Sequence, residues 1–200
     1  PSATAAEMDV TNASQIQAVV DGIVDEHGRI DILVNNAGAA WGEPIETFPE
    51  RGFDKITDLN LKSLFFLTRD LLPMLEAAAT AEDPARVINI GSMLSVVSLP
   101  ELTPYATSKG AVLQMTRTLA LEWAPLGITV NAILPGPFGT EMNQSLLNDP
   151  EKYQSFVAQI PLGRWGELDE IGGLAIFLAS EAASFVTGAG ILIDGGWAAK

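Results

Sequence analysis

Four short apolar runs, Ile32–Val34, Val87–Ile90, Thr129–Ile133 and Ile191–Ile193, are separated by longer segments with helical spacing. The runs are rich in Val, Ile and Leu with no alternating polar face, as expected of strands covered on both faces. The helical segments are Ala13–Glu26, a long one through about Pro73 to Ala79, Tyr105–Trp123, Glu151–Gln159 and Leu168–Ala179. Neighbouring parallel strands need a crossover, usually a helix, so this alternation selects an α/β fold: a doubly wound parallel sheet flanked by helices on both faces. No repeat, low-complexity tract or linker divides residues 1–200, so a single domain is expected. Pro135-Gly136-Pro137 and the polar stretch to Asn148 read as a loop leading into a mobile flap.

Composition narrows the function classes. Apolar content of 48% describes a chain with a core to build. A formal charge of −14, with 11 Lys plus Arg, argues against nucleic acid and against an anionic membrane surface. There is no cysteine for a disulfide or a thiolate metal site, and the one histidine, His27, sits in the turn-like E-H-G-R, so no histidine triad or zinc site is expected. No apolar run is long enough to span a bilayer and no signal peptide opens the chain, so a cytoplasmic location is the expectation.

The chemistry concentrates in P-Y-A-T-S-K-G, where Tyr105 and Lys109 stand four residues apart, and in I-N-I-G-S, which ends at Ser92. A four-residue step on a helix puts two side chains on one face, so a phenol and an ammonium share one environment. A phenol titrates near ~10 and is a poor proton shuttle at neutral pH. A nearby positive charge favours its phenolate and brings it toward the working range. Ser92, at the end of a preceding strand, is placed to hold a substrate oxygen.

N-N-A-G from Asn35 to Gly38, D-L-N-L around Asn60, Gly91-Ser92, Tyr105…Lys109 and N-x-x-x-P-G from Asn131 to Gly136 occur in one order. Together they resemble the short-chain dehydrogenase/reductase family over essentially the whole chain. The resemblance implies a Rossmann-type catalytic domain, NAD or NADP as cofactor, and a small-molecule substrate. It implies Tyr105 as general acid/base, Lys109 on the nicotinamide ribose, Ser92 on the substrate oxygen, and Asn60 bending its helix and holding a water linked to Lys109. It further implies cofactor contacts from Asp9, Val10, Asn35, Ala37, Gly38, Pro135, Gly136, the Phe138 backbone and Thr140. Asp9 is alternatively the acid at a helix N-terminus, and Thr140 alternatively the cap of a helix starting at Glu141. Substrate contacts are expected from Trp41, Met93, Leu94, Pro137 and the flap from Met142 to Trp165. Arg164 is a candidate anion partner or a structural residue.

The family's glycine-rich turn after its first strand is not found in the chain. The segment from Ala3 to Val10 resembles the family's third strand, so strands one and two are expected to be missing and the domain N-terminally incomplete. Excess apolar coverage of the helices containing Leu64–Met74 and Val112–Trp123 suggests a homotetramer or homodimer. The activity implied is interconversion of a small secondary alcohol and ketone, such as a sugar acid or polyol. An alternative is a 3-oxoacyl thioester reductase, disfavoured by Leu126 where carrier-binding relatives place a basic residue. A non-catalytic binding or scaffold protein on the same fold is the alternative of another class.

Overall fold

The computed structural model describes residues 3–199. Strands β1 (Ile32–Asn35), β2 (Ala85–Ile90), β3 (Ile128–Pro135) and β4 (Gly190–Ile193) form one parallel sheet in the order β1-β2-β3-β4. Each observed strand contains one of the four apolar runs. β2 begins earlier than its run because Arg86 is accommodated in it. The Arg86 guanidinium is buried but donates to Asp83 Oδ1 at 2.6 Å and to the Pro84 carbonyl at 2.7 Å. Such pairing offsets much of the cost of burying a charge.

Helices cover both faces of the sheet. On one, Leu33, Val87 and Val130 pack with Ile16 and Val20 of α1 (Ala13–His27), Leu75 of α4 (Leu72–Ala78), and Ala120 and Trp123 of α5 (Thr103–Trp123). On the other, Ile88 and Ile133 pack with Leu178 of α8 (Leu168–Ala179). The exceptions are the two outer strands: Ile32 and Val34 of β1 remain 40% and 49% exposed on the face opposite Leu33, and Leu192 of β4 is 42% exposed. The expectation that every strand is covered on both faces therefore fails for β1 and β4.

Residues 3–10 form no strand in the structure, contrary to the expectation for Ala3 to Val10. Most of that segment is exposed, and at its end Asp9 turns the chain by accepting from the Thr11 backbone N–H and hydroxyl. The four strands present are contiguous, so β1 is a sheet edge among the described residues.

The long helix expected before β2 is three helices. They are α2 (Glu50–Thr57), α3 (Ser63–Asp70) and α4, with a π-helical turn at Asp58–Lys62 joining the first two. The chain breaks at Leu71 because Pro73 lies in the first turn of α4 and brings no backbone donor. The expected flap contains α6 (Gln144–Leu147) and α7 (Pro150–Val157), the latter capped by Asp149 accepting from Glu151 and Lys152 N–H. No described helix is long and apolar enough to cross a membrane.

A buried polar ladder fixes the sheet against its helices. Asn35 Nδ2 donates to Asn89 Oδ1 at 2.8 Å on the neighbouring strand and to Thr68 Oγ1 at 2.9 Å on α3. Asn89 Nδ2 donates onward to Thr116 Oγ1 at 2.9 Å on α5. Removing one member strands the others in a dry interior. Asn89→Ala is expected to destabilise the protein by ~1–3 kcal/mol. Asn35→Ala combined with it is expected to cost less than the sum of the two, as measured by denaturant unfolding of both single variants and the double.

Candidate active site

The site lies at the carboxyl end of the sheet, where open α/β folds place their ligands. β2 ends at Ile90 and the chain turns through Gly91 into Ser92. A Cβ on Gly91 would stand 3.1 Å from Ser95 Oγ and 2.5 Å from Leu134 Cδ2, so only glycine lets β2 turn so close to β3. Ser92 is extended (φ −162°) and caps a 3₁₀ turn, Met93–Ser95, its hydroxyl accepting from the Leu94 N–H at 3.1 Å.

α5 enters beside this turn and presents Tyr105 and, one turn on, Lys109. The Ser92 hydroxyl stands near enough to the Tyr105 phenol to act on its titration. The Lys109 ammonium is 5% exposed, lies 5.9 Å from the Tyr105 ring centroid, and donates to the Ile90 carbonyl at 2.7 Å. Burial pushes the Tyr105 phenol above its ordinary value, with the Ser92 hydroxyl opposing. Burial also brings the Lys109 amine down to about 8. The sequence argument anticipated that Lys109 would lower the phenol's titration. Here desolvation governs both groups, and the ammonium's hydrogen bond goes to Ile90.

Asn60 occupies the π-helical turn, where the Ser63 N–H reaches back to the Asp58 carbonyl. Turns of this kind often mark functional positions in helices. Its Oδ1 accepts from Ala39 N–H at 2.8 Å; its Nδ2 donates to the Ala39 carbonyl at 2.9 Å and to Ser108 Oγ at 3.1 Å. The N-N-A-G loop passes directly over this group. A Cβ on Gly38 would lie 3.3 Å from Asn60 Oδ1 and 3.5 Å from Lys109 Nζ. Asn60, Gly38, Lys109, Tyr105 and Ser92 are thus brought together.

The other expected positions divide. Val10, Asn35, Asn36 and Ala37 line one cavity of about 150 Å³ beside α3. The buried Asn35 Oδ1 has no hydrogen-bond partner, whereas Asn35 Nδ2 is committed to the ladder. Asp9 is exposed, and its carboxyl is held below its ordinary value chiefly by the Thr11 backbone N–H, the helix-entry alternative. Pro135 ends β3. Gly136 is required by packing, since its Cβ would lie 2.6 Å from Asp194 Cα. The Phe138 carbonyl already accepts from Thr140 N–H at 2.8 Å and Asn143 Nδ2 at 2.9 Å. The Thr140 side chain makes no cap to the short helix that follows, which removes that alternative.

Among the expected substrate contacts, Met93 and Leu94 sit in an aromatic wall with Trp165 and Trp197, against which Tyr105, Tyr153 and Phe156 also pack. Tyr153 stacks on Trp165 at 5.9 Å, and Phe156 bridges Trp165 and Trp197 at 5.8 and 5.6 Å. Trp41 is placed elsewhere, against Phe48 and under the Arg51 guanidinium at the start of α2. Pro137 and Phe138 line a separate cavity of about 90 Å³ with Arg164 and Glu170. Arg164 makes a two-pronged ion pair with Glu170 at 2.7 and 2.9 Å, so it is engaged within the protein. Sequence reasoning missed Ser95, Ser108 and Trp197, while Tyr153 and Phe156 fall within the flap expected to contact substrate. For Ser95 a signal existed in the S-x-x-S capping spacing from Ser92; for Trp197 none was local.

A parallel α/β sheet with a hydroxyl, a phenol and an ammonium buried at its carboxyl edge is the architecture of a Rossmann-type oxidoreductase. A family model described as enoyl-(acyl carrier protein) reductase matches residues 1–198. The rhamnolipids biosynthesis 3-oxoacyl-[acyl-carrier-protein] reductase of Pseudomonas aeruginosa is 41% identical over 94% of this chain and 74% of its own length. The 2-dehydro-3-deoxy-D-gluconate 5-dehydrogenase of Dickeya dadantii is 40% identical over 96% and 75% respectively. The crystal structure of a gluconate 5-dehydrogenase from Burkholderia cenocepacia in complex with NADP and tartrate superposes with a TM-score of 0.91 at 36% identity, over 96% of this chain and 74% of that one. The chain belongs to the short-chain dehydrogenase/reductase family.

The Lys109 amine makes a testable contribution to stability. Between about pH 8 and the ordinary lysine value, the unfolded chain holds a proton that the folded chain has released. Stability therefore rises with pH across that window, and the penalty of the buried charge is fully present below it. Urea unfolding from about pH 8 to about pH 10 is expected to show this rise in the parent and its loss in Lys109→Met.

Proposed function

We propose that the protein is an NAD(P)-dependent oxidoreductase that interconverts a small secondary alcohol and its ketone, with Ser92, Tyr105, Lys109 and Asn60 as the working group. The observation that carries this reading is the gathering of Ser92, at the turn that follows β2, with Tyr105 and Lys109 one helical turn apart on α5, the Lys109 ammonium lying 5.9 Å from the Tyr105 ring and bonded to the last carbonyl of β2. The residues fit a nicotinamide cofactor. Val10, Asn35 and Ala37 line a cavity beside the N-N-A-G loop, and Gly38 leaves the approach to Lys109 Nζ free of a side chain. Of the three ammonium hydrogens, one is committed to Ile90, leaving two for ribose hydroxyls. The bound nicotinamide supplies or accepts the hydride.

The protein's own steps follow from the hydrogen bonds. Because Ser92 Oγ accepts from Leu94 N–H, its proton is available to a substrate oxygen. Tyr105 gives its proton to that oxygen during ketone reduction and takes it back during alcohol oxidation. A phenol raised by burial is a ready donor in the first direction. The positive charges of Lys109 and of oxidised nicotinamide favour the phenolate needed in the second. The aromatic wall excludes water, which strengthens each of these interactions.

The named dehydrogenases of sugar acids among the relatives support a small polyhydroxy substrate. The Pseudomonas relative supports a 3-oxoacyl thioester as the second reading. Leu126, 37% exposed, and the net charge of −14 weigh against docking an acidic carrier protein. A cytoplasmic setting accords with a nicotinamide cofactor, and Phe65, Phe66 and Leu121, exposed at 45%, 38% and 81%, support a homo-oligomer.

Tyr105→Phe is expected to lower turnover by ~100-fold or more while nicotinamide fluorescence reports unchanged cofactor affinity. Full retained turnover contradicts the role of Tyr105. A panel of sugar acids, polyols and 3-oxoacyl thioesters, assayed with both cofactors, is expected to favour the sugar acids or polyols. Light scattering at micromolar concentration is expected to give a mass of two or four chains.

A further inference from the structure

One side chain outside every motif joins the carboxyl end of β2 to α5. Ser95 closes the 3₁₀ turn begun by Ser92. Its hydroxyl accepts from the Ser92 N–H at 3.3 Å and donates to the Lys109 carbonyl at 2.8 Å. A helical carbonyl already receives the N–H four residues ahead, so this is an additional bond reaching Lys109 from a different element. The turn is reciprocal: Ser95 holds the Ser92 backbone, and Leu94 N–H holds the Ser92 hydroxyl. The two halves together fix where Ser92 Oγ stands relative to Tyr105, because Tyr105 and Lys109 ride on one rigid helix. Ser108 makes a comparable strut on the far side, donating to the Tyr105 carbonyl at 2.7 Å while accepting from Asn60.

We propose that Ser95 is a positioning residue: through the Ser92 N–H and the Lys109 carbonyl, it sets the distance between the Ser92 hydroxyl and the Tyr105 phenol. It touches neither substrate nor cofactor, and the proposal rests on the reading of Ser92 and Tyr105 given above. Its consequence is a geometric one. A donor and acceptor displaced by a fraction of an ångström lose hydrogen-bond strength and proton-transfer rate together. The Ser92 contact opposes the effect of burial on the phenol, so loosening it leaves burial less opposed. Lys109, 5.9 Å from the ring, is the charged side chain placed against the phenol and is unchanged by the substitution.

The chain has two tyrosines, Tyr105 and Tyr153, which allows a direct test. In a Tyr153→Phe background, phenolate absorbance reads the titration of Tyr105 alone. Ser95→Ala in that background is expected to move the titration midpoint upward. It is also expected to lower kcat by ~10-fold with the cofactor KM within about twofold. Ser95→Thr, which keeps the hydroxyl, restores both. If the alanine variant does not fold, Ser95→Cys, which keeps the volume and weakens both bonds, is expected to show the same shift. A variant that melts earlier yet titrates and turns over like its parent overturns the proposal. The phenol titration does not depend on turnover. Its failure is therefore separable from failure of the catalytic reading, which Tyr105→Phe tests by itself.

Discussion

Burying the Lys109 ammonium obliges its surroundings to be rigid. The amine falls from its ordinary value to about 8, equivalent to a penalty on the order of 3 kcal/mol for the charged form. That penalty is tolerable only if an acceptor is held in place, and the acceptor is the Ile90 carbonyl at the last position of β2. β2 must therefore end at a fixed height relative to the second turn of α5. Gly91 permits the close turn beyond Ile90, and the Ser95 hydroxyl, donating to the Lys109 carbonyl, holds the two elements in register.

The asparagine ladder serves the same requirement on the face of the sheet that α5 covers. Asn35 and Asn89 are neighbours across β1 and β2 and end on Thr68 and Thr116, whose hydroxyls in turn donate to carbonyls of their own helices. Polar groups inside a core cost stability unless paired, but paired they specify one register. A one-residue slip of β1 along β2 would break the ladder, whereas purely apolar strands penalise such a slip only through packing. The site is thus built on a sheet whose register is set chemically as well as sterically.

The sequence made the sheet legible because strands between two helical layers are rich in Val, Ile and Leu without a polar face, and each of the four runs lies within an observed strand. Tyr105, Lys109, Ser92, Asn60 and Gly38 were legible because their spacings reflect constraints of one helix turn, one strand end and one loop. Less legible were features set by distant packing. Gly136 answers to Asp194 just beyond β4, and Trp41 is drawn to Gly52 of α2 and to Phe48 before it. Arg164 finds Glu170 six residues on, a partner offered by the start of α8. The break of the long helix was half legible, since Pro73 marks α4 but no residue type marks a π turn. The segment from Ala3 to Val10 shows the limit of pattern reading: a strand-like sequence forms a strand only when a neighbour accepts its hydrogen bonds.

The π turn at Asp58–Lys62 gives the number of residues in this stretch a meaning separate from their identity. An extra residue inserted into a helix advances everything after it by about 100°. Asn60, within the bulge, faces Ala39 and Ser108, and Thr68, two turns beyond it, faces Asn35. Both alignments depend on the same local widening. Excising one residue between 57 and 63 would restore an ideal helix and rotate Thr68 away from the sheet. Local regularity and global fit are opposed here, so the length of this segment is constrained separately from the identity of Asn60 within it.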